Sequence, residues 1–322
     1  MSSEKLIESL SRAFQIAQKD LATLGSDAKR RASRALERLR ELSDRAAAIM
    51  AKENDAEADD AELPVIKVEK LVIKKRFATS SMDRTGHLRP VSLMQELQAV
   101  ADIHATMLGV GRTFCFSANI SWVLTHNAFE IVEMPDDKEE LSIITWPSAH
   151  ETLRAIRDFE IRGADNRVLV RSTSQWIMMD LAARKPVKLA DYLPVWECVP
   201  ERALNIPFEK IAEFEPGRSM EFAVRFDDID MNQHVNNAVY ALWAQESMGF
   251  DFLAKHRLVR MEINFKKEIP AGVKAAEVGV IIDSQGAAAD TAGDKAGTVQ
   301  TRHLIQADGA VRAIAKCVWA GV

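Results

Sequence analysis

Hydrophobic positions recur along this chain in two different rhythms. Leu6, Leu10, Phe14, Ala17, Leu21 and Leu24 return at steps of three and four, and Leu36, Leu39, Ala46 and Ile49 do so after a break at Gly25-Ser26-Asp27. Such spacing lays one apolar stripe along each of two helices. Gly25 suits a helix C-terminus and Ser26 or Asp27 an N-cap, because their side-chain oxygens accept free backbone N–H groups. A helical hairpin is therefore predicted over residues 1–52. An acidic linker follows over residues 53–64, where the run from Glu53 to Glu62 carries six acids and no base.

From Val65 the rhythm becomes strand-like. Val68 to Phe77, Asn119 to Val132, Leu141 to Trp146, Leu153 to Arg162 and Val168 to Met179 are rich in β-branched and aromatic residues and are separated by Gly, Pro, Asp and Asn. One helix interrupts them, from about Val91 to Leu108, with Leu93, Leu97, Val100, His104 and Met107 on one stripe. A second series repeats the order: a strand at Ser219 to Phe226, a helix at Asn236 to Phe250, then strands near Val259 to Phe265, Val273 to Ile282, Val299 to Gln306 and Val311 to Trp319. One helix per set of strands, twice, points to an antiparallel sheet wrapped around a helix in each half. The expected fold class is α+β, with an N-terminal domain at 65–190, a Pro-rich link at 191–216 and a C-terminal domain at 217–322.

Size and composition agree with this division. A chain of 322 residues suits two domains plus an extension. Its 47% hydrophobic and 28% charged residues are ordinary for a globular protein. No apolar run reaches the ~18 residues of a membrane-spanning helix, and a net charge of −5 gives nucleic-acid binding no support. Cys115, Cys198 and Cys317 are widely spaced, which signals neither a disulfide framework nor a zinc site. His126, His150, His256 and His303 likewise lack metal-ligand spacing, so no metal or cofactor is expected. Glu4, Glu8 and Asp20 argue against an acid-poor targeting peptide, and a cytoplasmic location is the default expectation. The first 52 residues are expected to dock on the body or self-associate; Lys29, Arg30, Arg31 and Arg34 also suit a lipid surface.

Chemistry concentrates at the junction of the Ser219–Phe226 strand and the helix that follows it, Asp228-Ile229-Asp230-Met231-Asn232-Gln233-His234-Val235-Asn236-Asn237. Backbone N–H groups at a helix start lack intrahelical partners and can face an oxygen that becomes negative. Asn232, His234 or Asn236 could equally serve as helix caps. The first half carries an echo, Asp83-Arg84-Thr85-Gly86-His87, with Asp and His again four apart, and Glu133-Met134-Pro135 parallels Glu268-Ile269-Pro270. Thr85 stands where the second copy has the amide of Asn232, so the second copy is expected to be the working one.

The body of the chain, about Val65 to Trp319, resembles the plant and bacterial acyl-acyl-carrier-protein thioesterases. The signature D-x-N-x-H-V-N-N-x-x-Y-x-x-W is complete in Asp230, Asn232, His234, Val235, Asn236, Asn237, Tyr240 and Trp243. The first half adds Trp122 to Thr125, Thr145-Trp146, Arg154 to Arg162, Ser174 to Asp180, and the basic Arg184 and Lys185. The resemblance implies two tandem hotdog domains, with the acyl pocket in the first and catalysis in the second. It implies hydrolysis of fatty acyl-acyl carrier protein, with the carrier protein as partner and free fatty acid as product. By motif position the family's catalytic residues fall on Asp230, Asn232, His234 and Glu268.

Ile269 follows Glu268 where many plant relatives have Cys, so a cysteine nucleophile is not available there, and no G-x-S-x-G elbow offers a serine. The expected scheme has Glu268 as general base on water, or as direct nucleophile. Asn232 and the Val235 and Asn236 backbone N–H groups stabilise the oxyanion, His234 polarises the carbonyl or water, and Asp230 orients the loop. Asn236, Met94, Leu97, Val100 and Ala101 are candidates for substrate contact. Trp122, Trp146 and Trp176 are read as core, and so is His104. The alternatives are an acyl-CoA hotdog thioesterase or hydratase, and a non-catalytic acyl-thioester-binding protein.

Overall fold

The computed structural model describes residues 66–193, 196–285 and 297–322. The helical hairpin expected at 1–52 and the linker at 53–64 lie outside the described residues. In the first half, β1 (Ile66–Lys67) and β2 (Leu71–Lys75) lead into helix α1 (Pro90–Met107) and a short α2 (Arg112–Ser117). Strands β3 (Ile120–Ile131), β4 (Leu141–His150), β5 (Arg154–Arg162), β6 (Val168–Asp180) and β7 (Lys185–Val187) follow. After β8 (Trp196–Glu197), the second half repeats the plan as β9 (Arg218–Ala223), α3 (Asn237–Glu246), α4 (Phe250–Leu253), β10 (His256–Phe265), β11 (Ala275–Gln285), β12 (Val299–Ala307) and β13 (Ala310–Gly321).

β1 and β8 pair in parallel with each other, and the other described strands form one antiparallel sheet in the order β2-β4-β5-β6-β3-β10-β13-β12-β11-β9, with β7 added alongside β6. The halves fuse where β3 meets β10, in a register that pairs Phe129 with Met261 and His126 with Asn264. This closes the edge that each half would otherwise expose. The two helices touch one another on the inner side of the sheet. Leu93, Met94, Leu97 and Val100 of α1 share one continuous core with Ala238, Tyr240 and Trp243 of α3. Truncating such a side chain, as in Leu97→Ala, typically costs about 2–5 kcal/mol. The architecture is the tandem hotdog.

Local chemistry sets the ends of the elements. Pro90 occupies the first turn of α1, where its missing N–H is not needed. Gly109, at φ +76°, turns the chain out of the helix. The second helix ends sooner than its apolar pattern predicts, at Glu246, because Gly249 at φ +85° breaks the path before α4. β4 runs past Trp146 through Pro147 to His150, beyond the expected end; the register shifts between Pro147 and Ala149, which accommodates the proline. The link at 191–216 is not loose. Where described, it lies against the outer face of the sheet: Trp146 Nε1 donates to Glu201 O at 2.7 Å, Arg202 Nε bonds Asp158 Oδ2 at 2.9 Å, and Ile211 packs on Leu304 and Ile314.

Candidate active site

The loop before α3 is held by its own backbone. Asp230 N donates to His234 O at 2.8 Å, and Gln233, at φ +63°, donates to Asp230 O at 3.0 Å. The Asp230 carboxylate accepts the Asn232 backbone N–H at 2.8 Å and faces that of His234 at 3.5 Å. Aspartate stabilises such a turn because its short side chain reaches the N–H two residues on. The Asn232 side chain is left exposed, and no described residue hydrogen-bonds its amide.

A second set of bonds ties this loop to the turn after β10. Val235 N donates to Ile269 O and Ala271 N to Gln233 O, each at 2.8 Å. Arg312 Nη1 donates to Glu268 O at 2.9 Å, and Ile269 N donates to the buried Tyr240 hydroxyl at 3.2 Å. The result sets His234 Nε2 3.6 Å from Glu268 Oε1, with both side chains about one-third exposed. Arg184, on the β6–β7 turn of the first half, reaches across and pairs with the same Oε1. No described residue takes Oε2.

Two expectations about the helix start need correction. Asn236 is the N-cap of α3, and its Oδ1 accepts from Ala238 N at 2.9 Å, so that oxygen is committed to the backbone rather than to a substrate. The Val235 N–H is spent on Ile269 O, and that of Asn236 on Asp228 O at 2.8 Å. Neither is free to meet an oxyanion. Among the expected donors, the side-chain amide of Asn232 alone keeps its capacity.

A cavity of about 320 Å³ opens beside this loop. Ligand pockets usually start near ~300 Å³ and are mostly apolar. Asp230, Met231 and Asn232 of the second half line it; every other lining residue comes from the first half or from Trp196. His234 and Glu268 are not in the lining and join the cavity mouth through the loop. Of the candidate acyl contacts, Ala101 lines it, with Gln98, Asp102 and Ala105 on the same face of α1. Met94, Leu97 and Val100 instead face the main core. Trp122 and Trp176, read from sequence as core, also line the cavity, whereas Trp146 is buried in the body.

The cavity's remaining polar groups escaped notice because their spacing along the chain carries no motif. Asp102 of α1, Arg112 of α2, His150 of β4 and Arg157 of β5 all line it, each brought in by a different element. Burial raises the Asp102 carboxyl, with Arg112 opposing. Cys115 also lines the cavity, but burial pushes its thiol up to about 12, and it donates to Val110 O, so it is no nucleophile. Among the described residues no cluster of His, Cys, Asp and Glu could hold a metal ion.

Two family models match this geometry half by half: the acyl-ACP thioesterase N-terminal domain over residues 70–194, and the acyl-ACP thioesterase C-terminal domain over residues 211–321. The chain belongs to the acyl-ACP thioesterase family. Among curated relatives, the chloroplastic oleoyl-acyl carrier protein thioesterase of Coriandrum sativum is 29% identical over 163 residues, covering 47% of this chain and 44% of that protein. Oleoyl-acyl carrier protein thioesterase 2 of Arabidopsis thaliana, also chloroplastic, is 27% identical over 221 residues, covering 61% and 59%. The chain thus spans about half the length of the curated relatives it matches.

Solved structures agree on the fold of this family member. A Lactobacillus plantarum protein assigned provisionally as an oleoyl thioesterase superposes with a TM-score of 0.67 at 28% identity, over 79% of this chain and 97% of that one. The 12:0-ACP thioesterase from Umbellularia californica does so with a TM-score of 0.65 at 16% identity, over 79% and 98%.

Proposed function

We propose that this protein hydrolyses the thioester of a fatty acyl group on acyl carrier protein, releasing free fatty acid. One observation carries the reading: the cavity built by the first half is closed by Asp230, Met231 and Asn232, the loop that also sets His234 3.6 Å from Glu268. An acyl chain lying in the cavity would bring its thioester carbon to that loop. Glu268 acts as general base through Oε2, the oxygen that His234 and Arg184 leave unused. Asn232 donates its amide to the carbonyl oxygen as charge develops there. His234 orients the attacking water, and Asp230 fixes the loop that carries both. The thiolate leaves readily, since a thiol has a pKa of about 8.5, so strong acid assistance is unnecessary.

Carrier recognition is assigned to cations around the mouth, with Arg184 on the β6–β7 turn and Lys185 at the start of β7 both exposed. Electrostatic complementarity of this kind sets association rate and specificity more than affinity. The test is steady-state hydrolysis of acyl-carrier and acyl-CoA substrates of matched chain, reading free thiol and free acid together. Acid release from the carrier substrate supports the reading. Hydration without acid release, or tight binding without turnover, favours the hydratase or the silent alternative.

A further inference from the structure

The cavity has one wall that a plain hydrocarbon chain does not explain. Arg157 of β5 is 9% exposed, and its Nη1 donates to His104 Nδ1 at 3.0 Å and to Thr145 Oγ1 at 3.2 Å. Both partners are neutral, since burial and the Arg157 charge hold His104 at about 3. Among the described residues no carboxylate pairs with this guanidinium. The neighbouring Asp158 points to the other face of the sheet, where Arg202, Ser148 and Ala203 N take its oxygens. A buried cation without a counter-charge is costly, and proteins retain one where something else supplies the anion.

Two further groups on the same wall point the same way. Trp196 Nε1 and His150 Nε2 are sealed from solvent and have no hydrogen-bond partner among the described residues. Their rings lie against each other with centroids 4.8 Å apart, and both line the cavity together with Arg157. The indole N–H can only donate. Burial, together with Arg157, keeps His150 neutral, and its Nε2 can carry the ring proton. Buried donors left unmatched are rare in folded proteins. Two donors without an acceptor among the described residues, beside a guanidinium whose partners are both neutral, match the oxygens of a ligand carboxylate, which offers about four acceptor positions.

We propose that Arg157, Trp196 and His150 form a subsite for a carboxylate at the remote end of the acyl chain, so that the favoured substrates are monothioesters of dicarboxylic acids. This rests on the hydrolase reading for the thioester end, but the subsite can be tested apart from turnover. Calorimetry compares the monoamide of an α,ω-dicarboxylic acid with the plain fatty amide of equal carbon number, the amide standing in for the thioester. A charge-assisted hydrogen bond is worth about 1.5–3 kcal/mol, so the carboxylated ligand should bind at least about tenfold more tightly. Trp196→Phe, which keeps the ring against His150 and deletes the N–H, should shrink that preference several-fold; Arg157→Met should abolish it. Equal binding of the two amides, or a preference untouched by Trp196→Phe, overturns the proposal. Turnover of acyl and ω-carboxyacyl thioesters separates the two claims. Hydrolysis with no preference for the carboxylated chain refutes the subsite and leaves the hydrolase standing; selective amide binding without any hydrolysis keeps the subsite and refutes the hydrolase.

Discussion

The loops Asp83–His87 and Asp230–His234 share one backbone and differ in what their side chains leave free. In each, the Asp N–H donates to the His carbonyl, at 2.7 and 2.8 Å, and the Asp carboxylate accepts the N–H two residues on, at 2.7 and 2.8 Å. The position before His is left-handed in both, Gly86 at φ +80° and Gln233 at +63°. In the first loop, however, the Thr85 hydroxyl folds back onto Asp83 at 2.6 Å and His87 Nδ1 at 2.8 Å, closing the turn on itself. Glu133 pairs with Arg167 at 3.1 Å; its counterpart Glu268 also pairs with an arginine, Arg184, but has His234 Nε2 beside the same oxygen at 3.6 Å. On the proposed assignment, the same fold keeps a scaffold in one half and the reaction geometry in the other. A loop hydrogen bond does not make a site; an uncommitted side chain does.

The sharpest way to break this comparison is to remove each glutamate in turn. Glu268→Gln should lower kcat by roughly 10²–10⁴-fold, the usual reach of a general base, while Glu133→Gln leaves hydrolysis unchanged in the same assay. Next comes the amide. Asn232→Thr copies the first loop into the second and should cost roughly 10²–10³-fold in kcat, as does loss of one oxyanion donor; Thr85→Asn should create no second activity, because the cavity does not reach that loop.

Acid stability tests a feature that the halves share. His104 on the inner face of α1 and His303 of β12 are both buried, and burial lowers each to about 3. Unfolded, each takes a proton near pH 6.5, so their stabilisation is complete above 6.5 and is lost as pH falls toward 3. At pH 5 each should cost about 2 kcal/mol relative to neutral pH, seen as a falling denaturation midpoint that a His303→Gln variant partly flattens. The smallest effect concerns the helix starts. Asn236→Ala should cost about 1 kcal/mol through loss of the cap, whereas Arg89→Ala at the start of α1 should cost little, since Arg89 makes no capping bond.

The fold was legible because both signals that define it are local. Alternating strands and one apolar helix per half, together with the repeated Asp-to-His spacing, gave the element order. The loop motif was equally plain, since Asp230, Asn232 and His234 sit within five residues and Glu268 holds a fixed place beyond the helix. The identity of the free donors was not legible. That the Val235 and Asn236 N–H groups are spent depends on Ile269 and Asp228 carbonyls brought in by the fold. The cavity wall was invisible for the same reason: pairing of β4 with β5 brings His150 and Arg157 together, and Trp196 of β8 reaches them only by packing its ring on His150. On α1 the apolar stripe identified the face turned to the core, Met94, Leu97 and Val100, whereas the cavity takes the next face, with Gln98, Ala101 and Asp102. A helix between two apolar spaces shows its stronger stripe to the body and a mixed one to the ligand.

The most direct measurement is a crystal structure with a non-hydrolysable acyl-carrier analogue in which an amide replaces the thioester. The chain should lie between α1 and β5, with its carbonyl oxygen within hydrogen-bond distance of the Asn232 amide and a water held between its carbonyl carbon and Glu268 Oε2. A chain seated elsewhere, or a carbonyl resting at the Asp83–His87 loop with Asn232 and Glu268 out of reach, would contradict the assignment of chemistry to the second half.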